Sequence, residues 1–414
     1  MTPVTPNLSN VWFKLTDLEV ERGEGSWVVT TNGDRYLDFA AGIAVVSTGH
    51  SHPKVVEAIT TQAARGIHLQ ANMFNHDLLQ PLAARLAEIT PPGIDTFFYA
   101  NSGAEITEAA VKLAKQATGR PHTIVFEGSF HGRTHMAMAM TTSKAIYRSG
   151  YAPLPSGVFT APFPDVRAHD LDAEIDGCLA SFDRLLVAST APSETACVIV
   201  EPELGEGGYI PAPARWLEGI AARCDDHGIL FIADEVQSGF ARSGKMFAIE
   251  HYDIEPDIIC MAKGIASGFP FSALGTRREL DDRWPTGSHG GTYGGSVLGC
   301  AAALATIDVL TEDGFLDHVN ERGQQLRSGL EQMQSEHPTI EHIRGLGIMI
   351  AIDLTSAEHT KAVVAHCLHE SNLIIMSTGA AGVTIRFMPP LTVSADEIDL
   401  ALHALERAFA SLDV

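Results

Sequence analysis

Ile232-Ala233-Asp234-Glu235-Val236-Gln237-Ser238-Gly239 is the stretch on which the fold turns. It closes an apolar run at 229–233, and a second apolar run at 258–261 leads into Lys263-Gly264. Short unbroken apolar runs of this kind read as strands buried on both faces, as in a parallel sheet. Working outward, strand-like runs at 96–100, 123–126, 197–200 and 271–275 alternate with helical patterns at 53–64, 76–89, 105–118, 212–227 and 296–310. This alternation predicts an α/β architecture with a parallel sheet. The stretch 150–165, rich in Pro and Gly, reads as loop. Past about residue 310 the character changes. A long amphipathic helix (314–336) precedes a strand (347–354), a helix (356–371), short strands (373–376, 384–387) and a last helix (394–411), a self-contained α+β unit. The expected division is 1–50, an opening segment of short strands (26–30, 35–39) packing with the C-terminal unit; 51–312, the large domain; and 313–414, the small domain.

Composition narrows the partners. The 414 residues are 45% hydrophobic and 19% charged, an ordinary globular balance. Against 28 Lys and Arg stand 51 Asp and Glu, a net charge of −23. That field repels polyanions, so nucleic acid and anionic membrane surfaces are poor partners, while a local basic pocket for a small anion stays open. Six cysteines (178, 197, 224, 260, 300, 367) form no C-x-x-C pair and read as reduced, buried thiols. Residues 1–10 lack the basic start and apolar core of a secretory signal, and no apolar run approaches about 18 residues. A soluble, cytoplasmic protein is expected.

In open α/β sheets ligands collect at the carboxyl ends of the strands. Those ends carry Ser102-Gly103-Ala104, Ser129-Phe130-His131-Gly132-Arg133, Glu201, Asp234 and Lys263. Each has an ordinary explanation beside a chemical one. A lysine at the mouth of an apolar strand has its pKa depressed by desolvation, favouring the nucleophilic amine, but alone it is more commonly a snorkelling side chain. Asp234 suits a ring nitrogen or, equally, a helix N-cap. Asn101-Ser102-Gly103-Ala104-Glu105 suits a phosphate at a helix N-terminus or is a plain capping sequence. The turn Gly290-Gly291-Thr292-Tyr293-Gly294-Gly295 allows close backbone approach or is merely flexible. Together they supply a lysine, a carboxylate, a phosphate cradle and an aromatic face, which are the requirements of pyridoxal 5'-phosphate.

With the motifs Tyr36-Leu37-Asp38-Phe39, Gly42-Ile43-Ala44-Val45, Gly49-His50, Glu201-Pro202, Gly205-Glu206-Gly207-Gly208, Gly291-Thr292-Tyr293-Gly294-Gly295 and Pro389-Pro390-Leu391, the chain resembles the class III aminotransferases of fold type I, most of all the 4-aminobutyrate and related ω-amino-acid group. The resemblance spans nearly the whole chain. It implies a large domain with a mainly parallel seven-stranded sheet, a smaller α+β domain, and a homodimer with shared sites. It casts Lys263 as the Schiff-base lysine and proton shuttle and Asp234 as the partner of the pyridine nitrogen. Val236 and Phe130 take the two ring faces, Gln237 the ring hydroxyl, and His131 a place in the cofactor shell. Ser102, Gly103 and Ala104 hold the phosphate, with Thr292 reaching the other subunit's cofactor. Arg133 is the implied site for the carboxylate far from the reacting amine, and Arg386 for the α-carboxylate of glutamate or 2-oxoglutarate. Glu206 is the implied gate that pairs with Arg386 when that carboxylate is missing, and Ile43 a pocket wall.

Two departures stand out: Glu203-Leu204 replaces an apolar residue followed by Gln, and Ala104 a hydroxyl residue. The implied reaction moves an amino group from an ω-amino acid to 2-oxoglutarate, giving a semialdehyde and glutamate. Acetylornithine and ornithine aminotransferases share His131-Gly132-Arg133-Thr134, and an amino-acid racemase on the same fold would share every cofactor residue. The 18 histidines, with His131 and His135 four apart and His50 and His52 flanking Ser51, raise a metal hydrolase, but no H-E-x-x-H or Cys/His cluster accompanies them.

Overall fold

A computed structural model of the chain describes residues 7–412, so the first six residues of the opening segment and the last two of the C-terminal unit lie outside the described residues. Seven strands form the central sheet: β1 (Thr96–Ala100), β2 (His122–Phe126), β3 (Val158–Ala161), β4 (Thr195–Val200), β5 (Leu230–Asp234), β6 (Ile258–Met261) and β7 (Ser272–Thr276). Their order is β1-β7-β6-β5-β4-β2-β3. Only β7 runs against its neighbours, β1 and β6; every other pairing is parallel. Every residue of β4, β6 and β7 is buried, as expected of strands covered on both faces. The expected loop at 150–165 thus contains a strand. β3 pairs with β2 alone and lies at the sheet edge, the position where Pro- and Gly-flanked segments are tolerated. Helix Leu171–Ala188, capped by Asp170, was also not foreseen.

The helix that matters most to the site is Gly103–Thr118. Its N-cap is Ser102, whose Oγ accepts from the Glu105 N–H, and it ends at Gly119 in the left-handed region (φ 70°). Small buried residues (Ala109, Ala110, Ala114) let it lie close on the sheet. All six cysteines are buried and unpaired. No described helix is long and apolar enough to cross a membrane.

The C-terminal residues form a second sheet, wholly antiparallel, in the order Ile340–Leu346, Met349–Leu354, Thr384–Phe387, Met376–Thr378. The expected single strand at 347–354 is the second arm of a hairpin whose first arm, at 340–346, carries polar residues and lacked a strand signal. A meander at the other end of the chain (Val20–Glu24, Trp27–Thr30, Arg35–Asp38) gains a fourth, parallel strand from Leu373–Ile374. Glu397 joins the same two regions. It completes a capping box with Ser394 on helix Ala395–Ala410 while accepting from Trp27 Nε1 (2.6 Å) and Ser26 Oγ (3.0 Å). Glu397→Ala removes a cap and leaves a partly buried indole N–H unpaired. It should lower the midpoint of urea unfolding by the equivalent of about 2 kcal/mol.

Candidate active site

The carboxyl ends of β1, β2, β4, β5 and β6 surround a cavity of about 460 Å³. Ser102, Gly103, Ala104, Phe130, His131, Arg133, Asp234, Val236, Gln237 and Lys263 all line it, together with Glu201. Lys263 follows β6 at the start of a short 3-10 turn and holds φ 42°, a left-handed conformation rare for lysine. Burial pushes its pKa down to about 8; Glu206 opposes that shift and Arg386 adds to it. The side chain therefore offers a far larger neutral fraction near neutral pH than an ordinary lysine, and is half neutral near pH 8.

Asp234 ends β5. Its Oδ1 accepts from the Val236 N–H (3.0 Å), and its Oδ2 lies 2.6 Å from His131 Nδ1. His131 is itself fixed: its N–H donates to Thr141 Oγ1 and its carbonyl accepts from Thr107 Oγ1. The carboxylate is thus oriented by two partners and open to a third. Gly103 packs so tightly under Val236 that a Cβ on it would fall 2.9 Å from Val236 Cγ1, so glycine is what lets the helix terminus approach the cavity. The Ser102 hydroxyl is already engaged with Glu105 (2.9 Å), which leaves the amides of the helix terminus as its free anion-binding groups.

A second group of charges sits beside Lys263. Arg386, in strand Thr384–Phe387 of the C-terminal sheet, pairs with Glu206 (Nη1 to Oε1, 2.6 Å). Both are largely buried, Arg386 at 2% exposure, and its Nε has no hydrogen-bond partner. Burial would lower the arginine's pKa, but Glu206 reverses that and raises it. Burial would raise the Glu206 pKa, yet Arg386 and Lys263 hold it lowered. The Glu206 backbone is anchored across the seam, its carbonyl accepting from Thr378 Oγ1 (3.0 Å) and the Gly379 N–H. Arg344 reaches Gly208 O (3.0 Å) while gripping Asp353 with both Nη atoms. Arg133 lies over Tyr147 (4.9 Å to the ring centroid) and Phe130 (5.7 Å).

Two sequence candidates stand apart. Ile43 is 39% exposed in a turn where Ala41, Gly42, Ile43 and Ala44 all hold positive φ; Val45, two residues on, lines the cavity. Thr292 is exposed on the 290–295 turn and does not line the cavity of its own chain. Sequence reasoning also missed contributors. Glu201 was noted at its strand end without a role; its oxygens accept from the Phe130 N–H (2.7 Å) and Gly205 N–H (2.8 Å), and burial raises its pKa. Gly268, Phe269, Pro270 and Phe271 close one wall. The only signal for them was a glycine-bounded aromatic turn downstream of Lys263. Tyr147, in an exposed-looking Lys-Ala-Ile-Tyr-Arg stretch, gave none.

The donor set fits pyridoxal phosphate. Gln237 Oε1 and His131 Nε2 are buried without partners, Gly103 and Ala104 line the cavity at a helix N-terminus, and the amine, carboxylate and aromatic face stand around one space. Comparison with known proteins agrees. The family model "Aminotransferase class-III" matches residues 9–409. A probable 4-aminobutyrate aminotransferase of Bacillus subtilis is 39% identical over 93% of this chain and 91% of its own length. An acetylornithine aminotransferase of Agrobacterium fabrum is 40% identical over 97% and 95%. Among solved structures, an amine transaminase from an uncultivated Pseudomonas species in a PLP-bound form superposes with a TM-score of 0.90 at 27% identity, over 99% and 98% of the two chains. The racemase and hydrolase readings fall away, and the chain belongs to the class III aminotransferases, pyridoxal-phosphate-dependent enzymes of the α/β fold described above.

Proposed function

We propose that this aminotransferase takes its amino group from an ω-amino acid of the 4-aminobutyrate type and delivers it to 2-oxoglutarate. The buried Glu206–Arg386 pair beside Lys263 carries this reading. The two substrates differ at one place: glutamate has a carboxylate on its amine-bearing carbon and an ω-amino acid has none. Arg386 binds that carboxylate with a planar fork. When it is missing, Glu206 takes its place and spares the protein an unpaired buried guanidinium. Arg133 binds the carboxylate common to both substrates, at the far end. An acetylornithine-type donor obeys the same logic, since its reacting amine is also remote from its carboxylate.

Pyridoxal phosphate, when bound, would supply an electron sink that acidifies the C–H of the amine-bearing carbon. The amides of Gly103 and Ala104 hold its phosphate. Asp234, aimed by His131 and the Val236 amide, would hold a proton on the ring nitrogen, and Phe130 and Val236 would flank the ring. The Gln237 amide would hydrogen-bond the ring hydroxyl, its unpartnered Oε1 being able to accept from it. Lys263 Nζ removes the proton from the amine-bearing carbon, and its lowered pKa matches that task near neutrality.

A second copy of the chain belongs to this reading. Ile67, Met73, Phe74 and Tyr293 are exposed by 56–74%, and His68 packs on Tyr293, so these apolar side chains cluster beside the turn that carries Thr292. A partner covering that patch would bring Thr292 to its own cofactor phosphate. The cytoplasm is the proposed setting, a reducing compartment being where six unpaired cysteines persist.

Arg386→Ala should lower kcat/KM for 2-oxoglutarate about 100-fold more than for 4-aminobutyrate, the size of a lost bidentate charge-assisted contact, and equal losses would remove the gate. A half-reaction panel of 4-aminobutyrate, β-alanine, ornithine and N-acetylornithine, followed by the cofactor band, ranks the donors. In apoenzyme, borohydride trapping of pyridoxal phosphate on Lys263 should reach half its maximal rate near pH 8. Glu206→Gln removes an anion that raises the Lys263 pKa, so that midpoint should move lower still. Phe74→Asp should convert a species of twice 44.3 kDa in sedimentation velocity into one of 44.3 kDa, with weaker cofactor retention.

A further inference from the structure

Glu206 has one pairing that the gate does not explain. Its Oε1 is taken by Arg386, and its Oε2 lies 3.5 Å from the Tyr147 hydroxyl. Tyr147 ends the short turn Ala145–Tyr147, next to Phe130 and Arg133 of the cavity lining, and is half-buried. Its ring makes an edge contact with Phe130 (centroids 5.2 Å apart, 73° between planes) and lies 4.9 Å from the Arg133 guanidinium carbon. One side chain therefore touches both carboxylate subsites, with its face on Arg133 and its hydroxyl on the gate.

We infer that Tyr147 is a specificity-determining residue: its hydroxyl receives Glu206 when an α-carboxylate displaces that side chain from Arg386. The inference rests on the gate reading above. Opening the gate separates a buried carboxylate from its only cationic partner in direct contact, and a carboxylate left without a donor there carries a desolvation cost that would oppose binding of glutamate and 2-oxoglutarate. The Glu206 backbone cannot relieve this by moving, because its carbonyl is held by Thr378 and Gly379. The carboxylate must find its new partner within reach of a fixed main chain. The other phenol beside Arg386, Tyr209, is fully buried and directs its hydroxyl to Met388 Sδ (3.1 Å), so it is committed elsewhere. The Tyr147 hydroxyl is already at the limit of hydrogen-bond distance and closes to a charge-assisted bond as Glu206 turns away from Arg386. The same ring keeps Arg133 in place for the distal carboxylate of either substrate.

Tyr147→Phe keeps the face and removes the hydroxyl. The two half-reactions are measured separately, with 4-aminobutyrate on the pyridoxal form and 2-oxoglutarate on the pyridoxamine form. The ratio of their kcat/KM values should shift about tenfold against 2-oxoglutarate, through KM more than kcat. In a Glu206→Ala background, where no carboxylate needs receiving, adding Tyr147→Phe should shift the ratio less than about twofold. Incorporating 3-fluorotyrosine at position 147, a stronger donor of nearly the same shape, should shift the ratio the opposite way and guards against a folding defect in the Phe variant. Equal losses in both half-reactions, or a shift that persists without Glu206, would overturn the inference. If Arg386→Ala is selective and Tyr147→Phe is not, the gate stands and only the role of Tyr147 falls. If Arg386→Ala is itself unselective, the gate reading has failed first.

Discussion

The site is organised by a problem of charge in a place with little water. Lys263, Glu206 and Arg386 lie together in the interior, and each one's ionisation depends on the others. Burial would lower the Arg386 pKa, but Glu206 raises it; burial would raise the Glu206 pKa, but Arg386 and Lys263 hold it lowered. A salt bridge of this kind adds little net stability, since desolvation consumes most of the Coulombic gain. What it offers is exchangeability. On the proposed reading, an incoming carboxylate would replace Glu206 on Arg386 like for like, so the guanidinium would not be left bare and the difference between two substrates would become a difference in who occupies one arginine.

This arrangement explains why the gate lies where two sheets meet. Glu206 comes from the loop after β4 of the central sheet, and Arg386 from the antiparallel C-terminal sheet. The backbone around Glu206 is stitched across that seam by Thr378, Gly379 and Arg344, so the main chain is held while the carboxylate is left to move. Substrate recognition is thereby tied to how the C-terminal sheet is seated. The contacts that hold the ends of the chain there, Glu397 with Trp27 and the strand pairing of Leu373 with Leu37, support the pocket from a distance.

Much of this was legible in the sequence because the relevant signals are local. Asp234 and Lys263 each follow an unbroken apolar run, and such a run fixes both a buried strand and the end at which a polar residue emerges. Ser102-Gly103 announces a helix start in the same way. What escaped notice depends on non-local partners. β3 is a strand because β2 offers it an edge, not because its own composition asks for it, and the polar arm at 340–346 is held by the hairpin it forms with 349–354. Glu201 looks like one acid among many until the amides of Phe130 and Gly205 are seen converging on it. Tyr147 sits between charged and apolar residues with no periodicity, and only the fold places its two faces against Arg133 and Glu206.

The chain's net charge of −23 bears on the same point. A strongly negative surface would repel a dicarboxylate, yet the expected substrates are anions. Selective binding therefore depends on a few cations presented at short range, of which Arg386 is buried out of that surface field. Arg386 is sealed at 2% exposure, whereas Arg133 is exposed and held against the Tyr147 ring with Phe130 beside it, so each is presented to a ligand at contact distance. Discrimination then comes from desolvation and geometry inside the pocket. A gate built from one carboxylate works under those conditions because moving a single buried charge changes the local balance completely while leaving the global one untouched.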